Sequence, residues 1–146
     1  MSAAETFALG ELLGRLLRSG DVVALVGPLG VGKTVLAKGI GRGLDVHEEV
    51  LSPSFNIVLE YSGRLPYRHV DFYRLKDAGE AFDIGIEESI EGEGVTVIEW
   101  ADRIMGVLPA ERLRVDMAFG EGDERGISLE PRGRHFQNIV RSVTKK

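Results

Sequence analysis

The chain has 146 residues and a mass of 16.0 kDa, which allows one domain with a sizeable core and little room for a second. Its net charge of −5 argues against a surface that coats nucleic acid broadly, and its lack of cysteine excludes a disulfide framework and thiolate metal sites. No apolar run approaches the roughly 20 residues of a membrane-spanning helix, and residues 1–10 lack the basic residues of a secretory signal. We therefore expect a cytoplasmic protein with no membrane partner.

The first third of the chain predicts a helix, a buried strand and a second helix. Ser2 and Glu5 form a capping box, and leucines then recur at helical spacing, so we predict a helix over residues 3–18. The continuous apolar run Val22–Val26 is typical of a strand buried on both faces of a parallel sheet. A glycine-rich loop follows, and then a helix from Lys33 to about Leu44 whose three glycines make its end hard to place.

The remaining elements are mostly strands. Alternation and turn residues predict two hairpins, a second buried strand, and a basic end that is either a short helix or a frayed tail. In chain order these are 56–61 with 67–73, 95–98, 112–119 with 126–130, and 133–143. A strand, a glycine loop, a helix and later strands follow one another as in α/β proteins.

The most specific motif is a phosphate-binding loop. Its eight residues are Gly27, Pro28, Leu29, Gly30, Val31, Gly32, Lys33 and Thr34. The glycines let successive backbone N–H groups face one anion, and the amino end of the following helix adds positive potential. Lys33 can reach the β- and γ-phosphates and Thr34 can offer a hydroxyl to Mg²⁺. The loop leaves a predicted strand and opens a predicted helix, as this mechanism requires, so we predict nucleotide binding.

A phosphate loop needs a metal-side carboxylate, and Glu99 is the candidate. It closes the apolar run Val95–Ile98, which places it at the carboxyl end of a buried strand, where ligands of open α/β sheets bind. The alternative is a glutamate that merely solvates a strand end.

A third group of polar residues lies in the second predicted strand of the first hairpin. In a strand, His69, Asp71 and Tyr73 share one face. An acid flanked by these two side chains could order the attacking water or a metal-bound water. One histidine and one aspartate are too few for a zinc site, and the alternative is a polar face on an exposed hairpin.

A hydroxyl-bearing segment, Ser52–Phe55, follows Thr34 by about 18 residues. Ser54 at that distance could sense a γ-phosphate as switch segments do, although Ser-Pro sequences are also ordinary turns.

The base is predicted to be adenine. Neither Asn56 nor Asn138 is followed by Lys-x-Asp, the guanine-reading signature of Ras-like GTPases, so ATP is favoured over GTP. The two remaining histidines, His47 and His135, lie in polar stretches and are predicted to be solvated.

Four motifs in a fixed order resemble the TsaE (formerly YjeE) family of bacterial tRNA threonylcarbamoyladenosine biosynthesis. They are Gly27–Thr34, Ser52–Phe55, His69–Leu75 and Val97–Trp100. The resemblance covers nearly the whole chain. It implies a single P-loop NTPase-like domain over 1–146, with three α/β layers and a central, mostly parallel sheet that carries antiparallel hairpins at the edge. It also implies ATP and Mg²⁺ as cofactors, and a TsaB/TsaD-type threonylcarbamoyl-transfer heterodimer as partner.

The resemblance also implies roles for individual residues. Lys33 would bind phosphates, and Thr34 and Glu99 would hold Mg²⁺, with Asp71 beside the metal as the acid needed for hydrolysis. Trp100 would be a conformational or partner-facing aromatic. Ser54 stands where the family usually has Thr and keeps the hydroxyl, whereas Ala101 replaces the usual Pro and puts the local turn in question.

We therefore expect an ATPase that is slow alone and stimulated by its partner. One alternative is a small-molecule P-loop kinase whose lid carries Arg64 and Arg68, and another is a non-hydrolytic nucleotide-sensing assembly module. The end of the chain, about 132–146, holds five basic residues and no acid, so it could be a flexible tail that contacts tRNA directly.

Overall fold

The computed structural model describes residues 1–50, 58–71, 86–101, 106 and 108–144. The helices are α1 (Ala3–Leu16), α2 (Lys33–Gly43), α3 (Ile86–Glu91) and α4 (Arg134–Thr144). The strands are β1 (Val22–Val26), β2 (Val58–Ser62), β3 (Pro66–Asp71), β4 (Val95–Glu99), β5 (Arg112–Phe119) and β6 (Arg125–Arg132). Among the described helices, none combines the length and apolarity that a membrane span requires.

The six strands form one sheet in the order β2-β3-β4-β1-β5-β6. Strands β3, β4, β1 and β5 run parallel, and each edge is closed by an antiparallel hairpin, β2–β3 on one side and β5–β6 on the other. This is the predicted α/β architecture. The parallel arrangement places the carboxyl ends of β1, β3, β4 and β5 along one edge of the sheet.

The central strands β1 and β4 are buried on both faces of the sheet, and the side chains that alternate along β1 enter two different cores. Val23 and Leu25 of β1 belong to a core with residues of α1, α2 and α4. Val22 and Ala24 belong to a second core on the opposite face, against which Ile90 of α3 packs. The continuous apolar run of β1 thus reflects burial between two layers, as the sequence predicts.

Helices α1 and α2 cross at glycines. A Cβ built on Gly10 would lie 2.9 Å from the Cα of Gly39, and one on Gly14 would lie 2.9 Å from the Cα of Gly43. Any larger side chain would push the two backbones apart. Two of the three glycines that obscure the helix end in the sequence, Gly39 and Gly43, therefore serve helix–helix contact, whereas Gly41 faces Val50 and Tyr67.

The end of the chain is a helix, one of the two predicted alternatives. Phe136 and Ile139 of α4 are buried against the first core. His135, predicted to be solvated, is instead 2.7 Å from the carboxylate of Asp21 through Nε2, and its side chain is only 16% exposed. The prediction is wrong because docking of α4 brings the ring onto the residue before β1. His47 is exposed, as predicted.

We expect Gly39→Ala to lower the free energy of unfolding by about 2 kcal/mol or more, the cost of overpacking a close contact. The added methyl would lie 2.3 Å from the carbonyl oxygen of Phe7. Gly126→Ala is the matched control, since the nearest atom to its Cβ is 4.0 Å away. Urea unfolding followed by circular dichroism measures both, and equal midpoints for the two variants would contradict the proposed packing.

Candidate active site

The glycine loop joins β1 to α2 and packs on β5. A Cβ on Gly27 would lie 2.6 Å from the carbonyl oxygen of Met117, so this position requires glycine for close approach. Gly30 and Gly32 have φ of +78° and +111°, a region that favours glycine. Gly32 precedes α2, and within the described residues no side chain caps the first turn of that helix. The first backbone N–H groups of α2 are therefore not engaged by a capping side chain, and an anion could accept hydrogen bonds from them.

Lys33 folds back on the loop that precedes it. Its side chain is buried, and Nζ donates to the carbonyl oxygens of Gly27, at 2.5 Å, and Pro28, at 3.0 Å. The ammonium also lies 3.8 Å from the centroid of the Trp100 ring, a cation–π distance. These contacts hold the positive charge at the loop.

Thr34 and Glu99 meet at the start of α2. The Thr34 hydroxyl donates to the Glu99 carboxylate, with Oγ1 at 3.2 and 3.4 Å from its two oxygens. Glu99 is only 4% exposed, although it is the last residue of β4. The interpretation of Glu99 as a solvated strand end is therefore wrong, and the two side chains that the resemblance assigns to Mg²⁺ lie in direct contact.

His69 is the second partner of Glu99. It is fully buried, and its Nε2 lies 2.5 Å from Glu99 Oε2, so the geometry assigns a proton to Nε2 that is donated to the carboxylate. Within the described residues, Nδ1 has no hydrogen-bond partner. His69 thus fixes the orientation of Glu99, a role that the sequence did not reveal, because it depends on β3 lying beside β4. The alternative of an exposed polar hairpin face is wrong for this histidine.

Asp71 ends β3 directly beside Glu99. The two residues are partners in the parallel β3–β4 register, so their side chains leave the same face of the sheet at adjacent positions. Asp71 is half-buried. His69 and Asp71 share a face, as predicted, and that face is the one that carries α2. Tyr73, and Ser54 with the rest of the Ser52–Phe55 segment, lie outside the described residues.

The negative charge of Glu99 also acts on Tyr67, in the same strand as Asp71. Burial first, and then the Glu99 carboxylate, raise the pKa of Tyr67 well above its ordinary value. Its hydroxyl donates to the carbonyl oxygen of Ala37 in α2 at 2.7 Å. The uncharged phenol therefore links β3 to α2 through this hydrogen bond, beneath the site.

The chain turns sharply directly after Glu99. Trp100 has a φ of +61°, an uncommon conformation for a bulky side chain, and this conformation accompanies the placement of its ring on Lys33. Ala101, which follows, is fully buried. The backbone therefore turns at Trp100 with alanine as the next residue, where the resemblance implied proline.

Comparison with known proteins identifies the family of the chain. The family model described as threonylcarbamoyl adenosine biosynthesis protein TsaE matches residues 1–127. The TsaE protein of Treponema pallidum is 43% identical over 128 residues, which cover 88% of this chain and 95% of that protein. The TsaE protein of Bacillus subtilis is 38% identical over 142 residues, or 97% of this chain and 89% of that protein.

A solved structure gives the same result for the fold. The crystal structure of Bacillus subtilis YdiB superposes with a TM-score of 0.85 at 33% sequence identity, covering 99% of this chain and 90% of that one. The match of the family model, the sequence relatives and the shared fold show that the chain belongs to the TsaE family, which serves the biosynthesis of threonylcarbamoyladenosine in tRNA.

Proposed function

We propose that this protein binds Mg²⁺–ATP at the loop and hydrolyses it, and that the hydrolysis serves a threonylcarbamoyl-transfer complex of the TsaB/TsaD type. The observation that carries the proposal is the hydroxyl–carboxylate pair of Thr34 and Glu99, formed across 65 residues of sequence next to the buried Lys33. This pair and a lysine beside a glycine loop are the groups that P-loop enzymes present to a metal-bound triphosphate.

The donor set suits Mg²⁺. Thr34 and Glu99 would hold the ion through two oxygen ligands, with Asp71 at the adjacent strand end. In the part of the chain that the structure describes, no group of three or more His, Cys, Asp or Glu side chains is close enough to hold a metal by itself. Magnesium commonly takes one or two protein oxygens and completes its shell with phosphates and water. When bound, it neutralises charge that develops on the transferring phosphoryl group.

The chain's own residues then divide the work of hydrolysis. The loop N–H groups and the Lys33 ammonium stabilise negative charge on the phosphate oxygens. Asp71 accepts a hydrogen bond from the attacking water and orients it. His69 touches none of the reacting atoms in this scheme and acts through Glu99, whose carboxylate it holds toward Thr34.

A small-molecule kinase is less well supported, because the two arginines that would serve its lid are committed elsewhere. Arg64 donates to the carbonyl oxygens of Gly14, at 2.8 Å, and Leu17, at 2.6 Å, and so caps the end of α1. Arg68 is 9% exposed and donates to Thr96 within the sheet. In strand β3 its side chain leaves the face opposite to that of Asp71.

The first test is Mg²⁺-dependent phosphate release from ATP, measured for the chain alone and with a purified threonylcarbamoyl-transfer complex. We expect slow release by the chain alone and faster release with the complex, because an arginine supplied by a partner can stabilise the transition state of a P-loop site. A rate near 10 per second for the isolated chain, about the median for enzymes, would contradict partner completion. No release under either condition would contradict hydrolysis.

We expect Lys33→Ala to weaken ATP binding by at least about tenfold, because hydrogen bonds to charged groups contribute about 1.5–3 kcal/mol. Isothermal titration calorimetry with Mg²⁺–ATP measures the change. Lys38→Ala is the matched control, since it removes an ammonium from the same helix outside the loop. If the two variants bind Mg²⁺–ATP with equal affinity, Lys33 does not contact the phosphates and the proposed site is wrong.

Asp71→Asn is expected to leave ATP affinity within about threefold and to lower kcat by about 10²–10⁴, the contribution typical of a positioned general base. Glu60→Gln, an exposed change on the adjacent strand β2, is its control. An Asp71→Asn variant that turns over normally would remove Asp71 from the chemistry, whereas a variant that loses hydrolysis but still supports threonylcarbamoyl transfer would favour the non-hydrolytic sensing module.

A further inference from the structure

An exposed aromatic side chain lies at the end of β5, the strand that flanks β1 on the side opposite β4. Phe119 is 54% exposed, and the guanidinium carbon of Arg125 lies 4.8 Å from the centroid of its ring. The two residues are directly opposite one another in the β5–β6 pairing. Their side chains therefore lie on the same face of the sheet and contact each other across the strands.

This Phe119–Arg125 pair is tied to the phosphate loop. Arg125 Nε donates to the carbonyl oxygen of Val31 at 3.1 Å, a contact across 94 residues. The backbone of Arg125 pairs with that of Met1 in both directions, at 2.7 and 2.8 Å. The guanidinium is thus fixed by the fold beside the loop, and its plane is preorganised next to the ring.

The sheet order decides which part of a nucleotide this pair can meet. Strand β1 delivers the loop, Glu99 ends β4 on one side of it, and Phe119 ends β5 on the other. A nucleotide whose metal-bearing phosphates lay toward Glu99, and which crossed the loop along the carboxyl ends of the strands, would bring its base toward β5. Phe119 has the same strand parity as Val115 and Met117, which pack in the core that includes α2. Its ring is therefore on the loop side of the sheet.

We propose that Phe119 and Arg125 form the platform on which the purine base of the bound nucleotide stacks. An exposed ring offers a π-face to the base, and a guanidinium plane supports the same stacking by cation–π attraction. The inference rests on the proposed binding of ATP at the loop. It adds a base subsite to the phosphate and metal subsites, on the opposite side of β1 from Glu99.

The test separates the base from the phosphates. Calorimetry with Mg²⁺–ATP and with Mg²⁺–tripolyphosphate, which has no base, is run on the full chain and on Phe119→Ala. We expect the variant to bind ATP about tenfold more weakly, in the range measured for base–aromatic stacking. Its affinity for tripolyphosphate should equal that of the unmodified chain. Phe119→Tyr should restore ATP affinity, because it keeps the ring.

Two further variants keep the result decisive. Phe119→Leu retains apolar volume without a π-system and should lose ATP affinity as Phe119→Ala does, even if the alanine variant is poorly folded. Leu12→Ala removes an apolar side chain of comparable exposure from α1 and should leave the affinity for both ligands unchanged.

The outcomes also distinguish the two proposals. If Phe119→Ala and Phe119→Leu bind ATP like the unmodified chain, or lose ATP and tripolyphosphate equally, the base platform is wrong. If the unmodified chain binds neither ligand, or if Lys33→Ala lowers the affinity for neither of them, the proposed phosphate site is wrong. The base platform is then overturned with it.

Discussion

Removal of the Glu99 carboxylate from water is the constraint on which the site depends. A carboxylate that is only 4% exposed is costly unless hydrogen bonds replace its hydration. Here His69 supplies one from β3 and Thr34 supplies another from α2. Both hydrogen bonds require β3 and α2 to lie against the end of β4. One buried charge therefore constrains the position of a strand and of a helix together. The pairing of Asp71 with Glu99 follows from the same alignment of β3 on β4.

The sequence predicted what is encoded locally. The loop Gly27–Thr34 is one contiguous segment with its strand and helix attached, and Glu99 directly follows an apolar run, so both could be found without knowledge of the fold. The contact of His69 with Glu99 could not be found, because it depends on the order of strands that lie 30 residues apart. His135 was misjudged for the same reason: its partner, Asp21, is 114 residues away and is reached only when α4 docks.

Glycine in α2 has opposite effects on the stability of the isolated helix and on the packing of the fold. In isolation Gly39 and Gly43 weaken α2, because glycine loses more backbone entropy in a helix than alanine does. In the fold they admit α1 to backbone contact through Gly10 and Gly14. Helix α2 begins at the loop, so its anchoring on α1 steadies the lysine and threonine that open it. Local propensity and tertiary packing disagree here, and packing prevails.

The placement of Trp100 gives the molecule an optical property. It is the single tryptophan of the chain, and its ring lies 3.8 Å from the Lys33 ammonium. The energy of an indole's excited state depends on the electric field across the ring, so a full positive charge at that distance shifts its emission. Any event that draws the ammonium away from the ring changes that field. The chain therefore carries an intrinsic fluorophore at its glycine loop, without background from a second tryptophan.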